Sequence, residues 1–122
     1  MTTHTNDNIE LLKAQNELIK KQNLEILQGE YEQIKVVREA IRHYGYDHQI
    51  MVAVEEMGEL LQALSKFKRH EGDINNIIEE IADVEIMMQQ LCLMFECYEE
   101  VVAVRRQKIE RLKKRLEDEI QL

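Results

Sequence analysis

Two short acidic runs, Glu55-Glu56-Met57-Gly58-Glu59 and Glu79-Glu80-Ile81-Ala82-Asp83, hold the residues best suited to chemistry in this chain. In a helix, residues three or four apart share a face. That spacing puts Glu56 beside Glu59 and Glu80 beside Asp83. Two such pairs on facing helices make a cage of hard oxygen ligands, the donor set that Mg²⁺ takes and that Mn²⁺ accepts as a substitute. An acidic pair at helical spacing is ordinarily solvated surface, so the setting of these pairs has to carry the argument.

Around the second pair, a stripe stepping by four and three reads Asn76, Glu80, Asp83, Met87, Gln90, Met94. The rest of that segment is apolar on nearly every side, from Ile74, Ile77, Ile78 and Ile81 to Val84, Ile86, Met88, Leu91, Leu93 and Phe95. A helix of that kind is expected to be buried, with Glu80 and Asp83 pointing into protein. The first pair lies on a similar stripe, Gln49, Val52, Glu56, Glu59, Ala63, Lys66, with an apolar face elsewhere (Ile50, Ala53, Val54, Met57, Leu61, Leu64). If the stripes face one another, four negative charges converge. An unpaired buried charge costs several kcal/mol, against a total stability of about 5–15 kcal/mol. Lys66 is the one cation on these stripes, about two turns beyond Glu59, so a divalent metal is the economical counter-charge.

The elements that must position these groups are helices. Proline is absent, glycine occurs four times in 122 residues, and hydrophobic residues make up 44%, enough for a core. Turn-rich folds use both glycine and proline, so the expectation is an all-α bundle of about five helices with the carboxylate site between two of them. Gly29 is read as ending a first helix, from about Asn6 to Gln28, and Gly45 a second, Glu30 to Tyr44. Asp47 is a candidate N-cap for a third, His48 to about Lys68. Gly72 marks the next break, Asp73 caps a fourth helix running to about Phe95, and a break near Glu96-Cys97-Tyr98 precedes the last, about Glu99 to Glu119. The first helix carries Ile9, Leu12, Asn16, Ile19, Asn23 and Ile26 at steps of three and four. That is a heptad seam with asparagine at one repeating site, a device that fixes register or partner number; packing on the domain's own core is the alternative. Residues 1–29 are therefore a candidate oligomerisation segment and 30–122 the functional domain. Gly58, inside the third helix, suggests close approach of another helix or a ligand.

Several function classes are excluded. The net charge is −8 with no basic stripe, which argues against nucleic-acid binding. No apolar run approaches the roughly 18 residues of a membrane span. Met1 to Asn8 lack the apolar stretch of a signal peptide, and Cys92 and Cys97 read as free thiols, so a reducing cytoplasm is expected. There is no Gly-rich phosphate loop and no His-Glu-x-x-His motif. None of His4, His43, His48 and His70 follows a glutamate by three residues, which sets the chain apart from di-iron bundles. Tyr44, Tyr46 and the neighbouring histidines could stack on a flat ligand.

Glu55-Glu56-x-x-Glu59 followed by Glu80-x-x-Asp83 resembles the signature of the MazG-like all-α nucleoside triphosphate pyrophosphohydrolases. The similarity covers roughly residues 34–116, including Glu-Glu-Met-Gly-Glu-Leu-Leu-Gln-Ala-Leu-Ser-Lys and Glu-Glu-Ile-Ala-Asp-Val. The resemblance implies cleavage between the α- and β-phosphates of a nucleoside triphosphate, with Mg²⁺, in a homo-dimer or homo-tetramer whose pocket includes residues of a neighbouring subunit. It makes Glu56, Glu59, Glu80 and Asp83 the core ligands; Glu55 is a fifth acid that holds a second metal or orients water. Lys108 and Arg111 match basic positions on the family's final helix, whereas Arg106 stands where an asparagine is usual. Lys66, Lys68, Arg69, Lys108 and Arg111 are candidates to hold pyrophosphate, and Gln49 joins them as a substrate-binding candidate. Two other readings compete: a phosphoribosyl-ATP pyrophosphohydrolase, which has similar acidic motifs, and a non-catalytic coiled-coil assembly or metal-binding module.

Overall fold

The computed structural model describes residues 2–121, and among these residues it is entirely helical. Four helices follow one another: α1 (Thr2–Tyr44), α2 (Tyr46–Lys68), α3 (Ile74–Met94) and α4 (Tyr98–Ile120). The sequence reading expected about five. The difference lies at Gly29, which is interior to α1 rather than its end. A glycine inside a helix costs only about 1 kcal/mol relative to alanine. Gly29 lacks the positive φ of a helix-terminating glycine, which only Gly45 adopts among the glycines. Good helix formers flank it on both sides, and a Gln28 to Glu32 side-chain hydrogen bond of 3.1 Å spans it.

The chain divides between Val36 and Val37 into two compact units. The first is a length of α1 alone, and every residue from His4 to Gln33 is exposed. The second holds the last turns of α1 with α2, α3 and α4. Its buried cluster is Val37, Ile41 and Met94, with Ile50, Leu91 and Leu93 packed against it.

The helix ends in this unit have identifiable causes. Gly45, at φ 90°, breaks the chain and stands at the N-cap of α2 without a side-chain bond. Helix α2 thus starts earlier than expected, and Asp47 falls in its first turn instead of capping it. The carboxylate there still meets the positive end of the helix dipole. Asp73 does cap α3: its Oδ1 accepts from the Asn76 amide at 2.9 Å.

Both α2 and α3 end in the same hydrogen-bonded cap. The Glu71 amide donates to the Lys66 carbonyl (2.9 Å) and the His70 amide to Phe67 (3.0 Å). The Cys97 amide donates to Cys92 (3.1 Å) and the Glu96 amide to Leu93 (3.3 Å). These are paired six-to-one and five-to-two bonds, which need a left-handed residue between helix and turn. His70 (φ 62°) and Glu96 (φ 51°) occupy that position. Gly72 does not reverse the chain; it lets the chain pass close to α2, since a Cβ there would lie 3.3 Å from the Lys66 Cβ.

Helices α2 and α3 form the main packed pair. Their apolar residues outside the shared stripe, including Val54, Leu61 and Leu64 on α2 and Ile74, Ile78 and Ile86 on α3, are exposed. The chain by itself thus leaves uncovered much of the apolar surface that the sequence suggested would be buried. At Gly58 an added Cβ would meet nothing within 4 Å, so no close approach within the chain explains that glycine. No helix among the described residues is long and apolar enough to cross a membrane.

Candidate metal centre

The stripes that carry the acids are the stripes by which α2 and α3 meet. Buried positions on α2 include Gln49, Ala53 and Ala63, and on α3 Met87, Gln90 and Met94. The helices run antiparallel, and their register follows from the side chains. Gln49 Nε2 donates to Gln90 Oε1 at 2.7 Å. Seven residues forward on α2 is Glu56, and seven back on α3 is Asp83; three further in each direction come Glu59 and Glu80. These four residues form a cluster, each offering a carboxylate oxygen within 4.8 Å of the others.

That span suits a cation. Ligands at about 2.1 Å from Mg²⁺, or about 2.4 Å from Ca²⁺, lie at most about 4.2 or 4.8 Å apart across the ion. Glu56 and Glu80 are half-buried and Glu59 is exposed. One oxygen of each half-buried residue, Glu56 Oε2 and Glu80 Oε2, is shielded from solvent and has no hydrogen-bond partner. An orphaned carboxylate oxygen loses water's hydrogen bonds without replacement, and a ligated cation would supply what it lacks. Neither described ion pair, Lys20–Glu17 or Arg69–Glu71, involves the cluster.

Electrostatics agree with the geometry. Burial pushes the Glu56 carboxyl above its ordinary 4.5, with the charges of Glu59, Asp83 and Glu80 adding to the rise. Burial likewise raises Glu80, and Glu59, Asp83 and Glu79 push the same way. Each cause disfavours a negative charge that a bound cation would favour.

The remaining candidates lie outside the cluster. Glu55 is exposed on α2. Lys66 and Lys68 are exposed on its last turn. The Arg69 guanidinium is engaged locally, with Nε 3.3 Å from Glu71 Oε2 and Nη1 donating to Ser65 Oγ at 3.1 Å. Lys108 and Arg111 are exposed on α4.

Gln49 is buried, and besides its bond to Gln90 its Oε1 accepts from His48 Nδ1 at 2.9 Å. Tyr44 stacks on His48, ring centres 5.3 Å apart, and meets His43 edge-on at 4.7 Å. Two of the residues expected to stack on a ligand thus stack on each other. The role of Gln90 was missed from the sequence. Its signal was the matched step of seven, Gln49 to Glu56 and Gln90 to Asp83, which is visible only once the two helices are paired.

A cleft of 630 Å³ lies away from the carboxylates, lined by residues including Arg38, Arg42, Tyr46, Cys92 and Glu99. Cys92 and Cys97 are free and half-buried, and burial raises the Cys92 thiol, with Cys97 adding to the rise.

No protein-family model, no curated protein and no solved structure matches this chain. Its class rests on fold and site together: a chain that is all-helical among the described residues, whose antiparallel α2–α3 pair carries four carboxylates close enough together that they could hold a metal ion.

Proposed function

We propose that the protein is a Mg²⁺-dependent nucleoside triphosphate pyrophosphohydrolase, converting an NTP or dNTP and water to the monophosphate and pyrophosphate. The observation that carries this reading is the convergence of Glu56, Glu59, Glu80 and Asp83 within 4.8 Å, two of their oxygens orphaned. The order and spacing of these acids, shared with the MazG-like motifs, support the choice of substrate.

Divalent-cation chemistry at such a site draws phosphate oxygens together and neutralises charge that develops as the anhydride breaks. The chain's own contribution is to hold the cation and the ends of the substrate. Glu56 and Glu80, anchored in the interface, provide the fixed ligands. Glu59 and Asp83, one turn away on each helix, close the set. Glu55, exposed beside it, is available to orient the attacking water. Water adds at the α-phosphorus as the bond to the bridging oxygen breaks, and pyrophosphate leaves. Lys66, Lys68 and Arg69 near the end of α2, with Lys108 and Arg111 on α4, provide positive charge for that leaving group. The exposed apolar faces of α2 and α3 favour a homo-oligomer with an even number of subunits, since two-fold interfaces are commonest.

A pyrophosphate-release assay with the common NTPs and dNTPs and with phosphoribosyl-ATP, with and without Mg²⁺, tests the reading. Mg²⁺-dependent release from at least one nucleoside triphosphate is expected. Release from phosphoribosyl-ATP alone would transfer the activity to that substrate, and no release from any of them would overturn the assignment.

A further inference from the structure

The first unit, taken by itself, is one helix, and one helix cannot cover its own apolar stripe. An isolated helix is marginal in water and gains its stability from packing of such a stripe. Ile9, Leu12, Ile19 and Ile26 are all exposed. They fall on alternating steps of three and four, with Asn16 and Asn23 completing the series. In heptad terms Ile9, Asn16 and Asn23 are a positions, and Leu12, Ile19 and Ile26 are d positions.

We propose that residues 9–26 of α1 form a parallel, in-register, two-stranded coiled coil with the same segment of a second copy of this chain. The asparagines select the occupant and its direction. In a parallel pair each a residue faces its own copy, so Asn16 meets Asn16 and Asn23 meets Asn23, and each amide finds both a donor and an acceptor. In an antiparallel pair a positions face d positions, and each asparagine would be set against an isoleucine or leucine with its amide unmatched. Charge points the same way. The flanking e positions hold Lys13 and Lys20, and the g positions Gln15 and Gln22. A parallel pair places e against g, lysine beside glutamine, without repulsion. An antiparallel pair places e against e and brings lysines together. An acidic partner is not required either: Lys20 already has Glu17 of its own helix at 3.5 Å.

This assembly is independent of the proposed catalysis, and mass rather than turnover reads it. The test uses the full chain by analytical ultracentrifugation at micromolar concentration, with two neighbouring substitutions. Ile19→Lys places a charge in the seam. Leu18→Lys places the same charge at a c position, outside the seam, on a residue that is equally exposed in the single chain. Ile19→Lys should halve the mass and Leu18→Lys should leave it unchanged. A halved mass for Leu18→Lys would overturn the seam, and so would an Ile19→Lys chain whose mass is unchanged and whose position 9, as Ile9→Cys, still cross-links, since copies held only by their α2 and α3 faces would keep the mass but lose that cross-link. For direction, Ile9→Cys should add an oxidation-dependent cross-linked dimer that the parent, with its Cys92 and Cys97, does not give, because only the parallel arrangement sets position 9 against itself. A dimer that resists cross-linking at position 9 would overturn the parallel register.

Discussion

At one end of the α2–α3 interface two amides face each other; two helical turns along, carboxylates do. Gln49 and Gln90 are buried and share a 2.7 Å hydrogen bond. Glu56 and Glu80 are less buried, yet each keeps an oxygen with no partner. The difference is chemical before it is geometric. An amide carries donor and acceptor together, so two amides can satisfy one another; an ionised carboxylate only accepts, so carboxylates cannot. The same backbone register thus produces a closed polar contact at one step of seven and an open one at the next. An open acceptor cluster is a place for something positive to bind.

The sharpest way to break this comparison is to turn the acceptor cluster towards amides. Glu59→Gln or Asp83→Asn keeps size and shape while removing a charge. Each should lower pyrophosphohydrolysis by at least about a hundredfold, the scale of losing one main electrostatic stabiliser. Steady-state turnover checks this once circular dichroism shows that the helices remain, and full activity would remove that residue from the ligand set.

The second expected effect is on stability. Mg²⁺ or Mn²⁺ bound only to the folded chain should raise the melting temperature, by an amount worth about 2.7 kcal/mol at a hundred times the dissociation constant. Calorimetric thermograms with and without the ion read this directly. No shift, and no binding heat even with a nucleotide present, would leave the four acids as repelling neighbours.

The amide end should respond differently. Gln90→Leu strands the Gln49 amide and should cost about 1–3 kcal/mol, whereas Gln49→Met with Gln90→Leu removes both partners and should cost much less. Urea denaturation of the two variants separates a paired contact from two independent side chains; equal losses would mean the pairing is incidental.

The smallest effect is the pH dependence of the metal-free chain. With Glu56 and Glu80 raised above 4.5 by burial first and neighbouring charge second, the folded state binds more protons than the unfolded state just above that value. Stability should therefore rise as pH falls from neutral towards 4.5 and decline again as pH rises through the raised values. Partial exposure keeps the amplitude small. Saturating Mg²⁺ should reverse the slope, because protons then compete with the ion. Melting temperatures across pH for the parent and for Glu56→Gln with Glu80→Gln check this, since the double variant should have lost the metal-free slope.

Much of this was legible in the chain. The two acidic pairs, their stripes, the Asp73 cap and the break near Glu96 all follow from short-range rules, a spacing of three, a side chain that accepts from an amide, a run that must turn. Gly29 misled because glycine both ends helices and is tolerated inside them; what separates the cases is φ, which composition does not encode. His70 and Glu96 were missed for the mirror reason, as neither residue type announces a left-handed conformation. The Gln49–Gln90 hydrogen bond was not legible because its partners lie forty-one positions apart, and a pair at that range is invisible until two helices have been set in register.

The whole carboxylate centre lies between Glu56 and Asp83, on two helices joined by one short turn. No remote segment has to arrive for it to close, so the chain entropy lost in closing it is small and its contacts are of the local kind that form quickly. What opposes closure is the repulsion of four like charges drawn within 4.8 Å of one another in the same event that zips the helices together. A cation bound at the cluster would lower that repulsion as the hairpin closes, so the same ion would favour both the site and the pairing of the helices that form it.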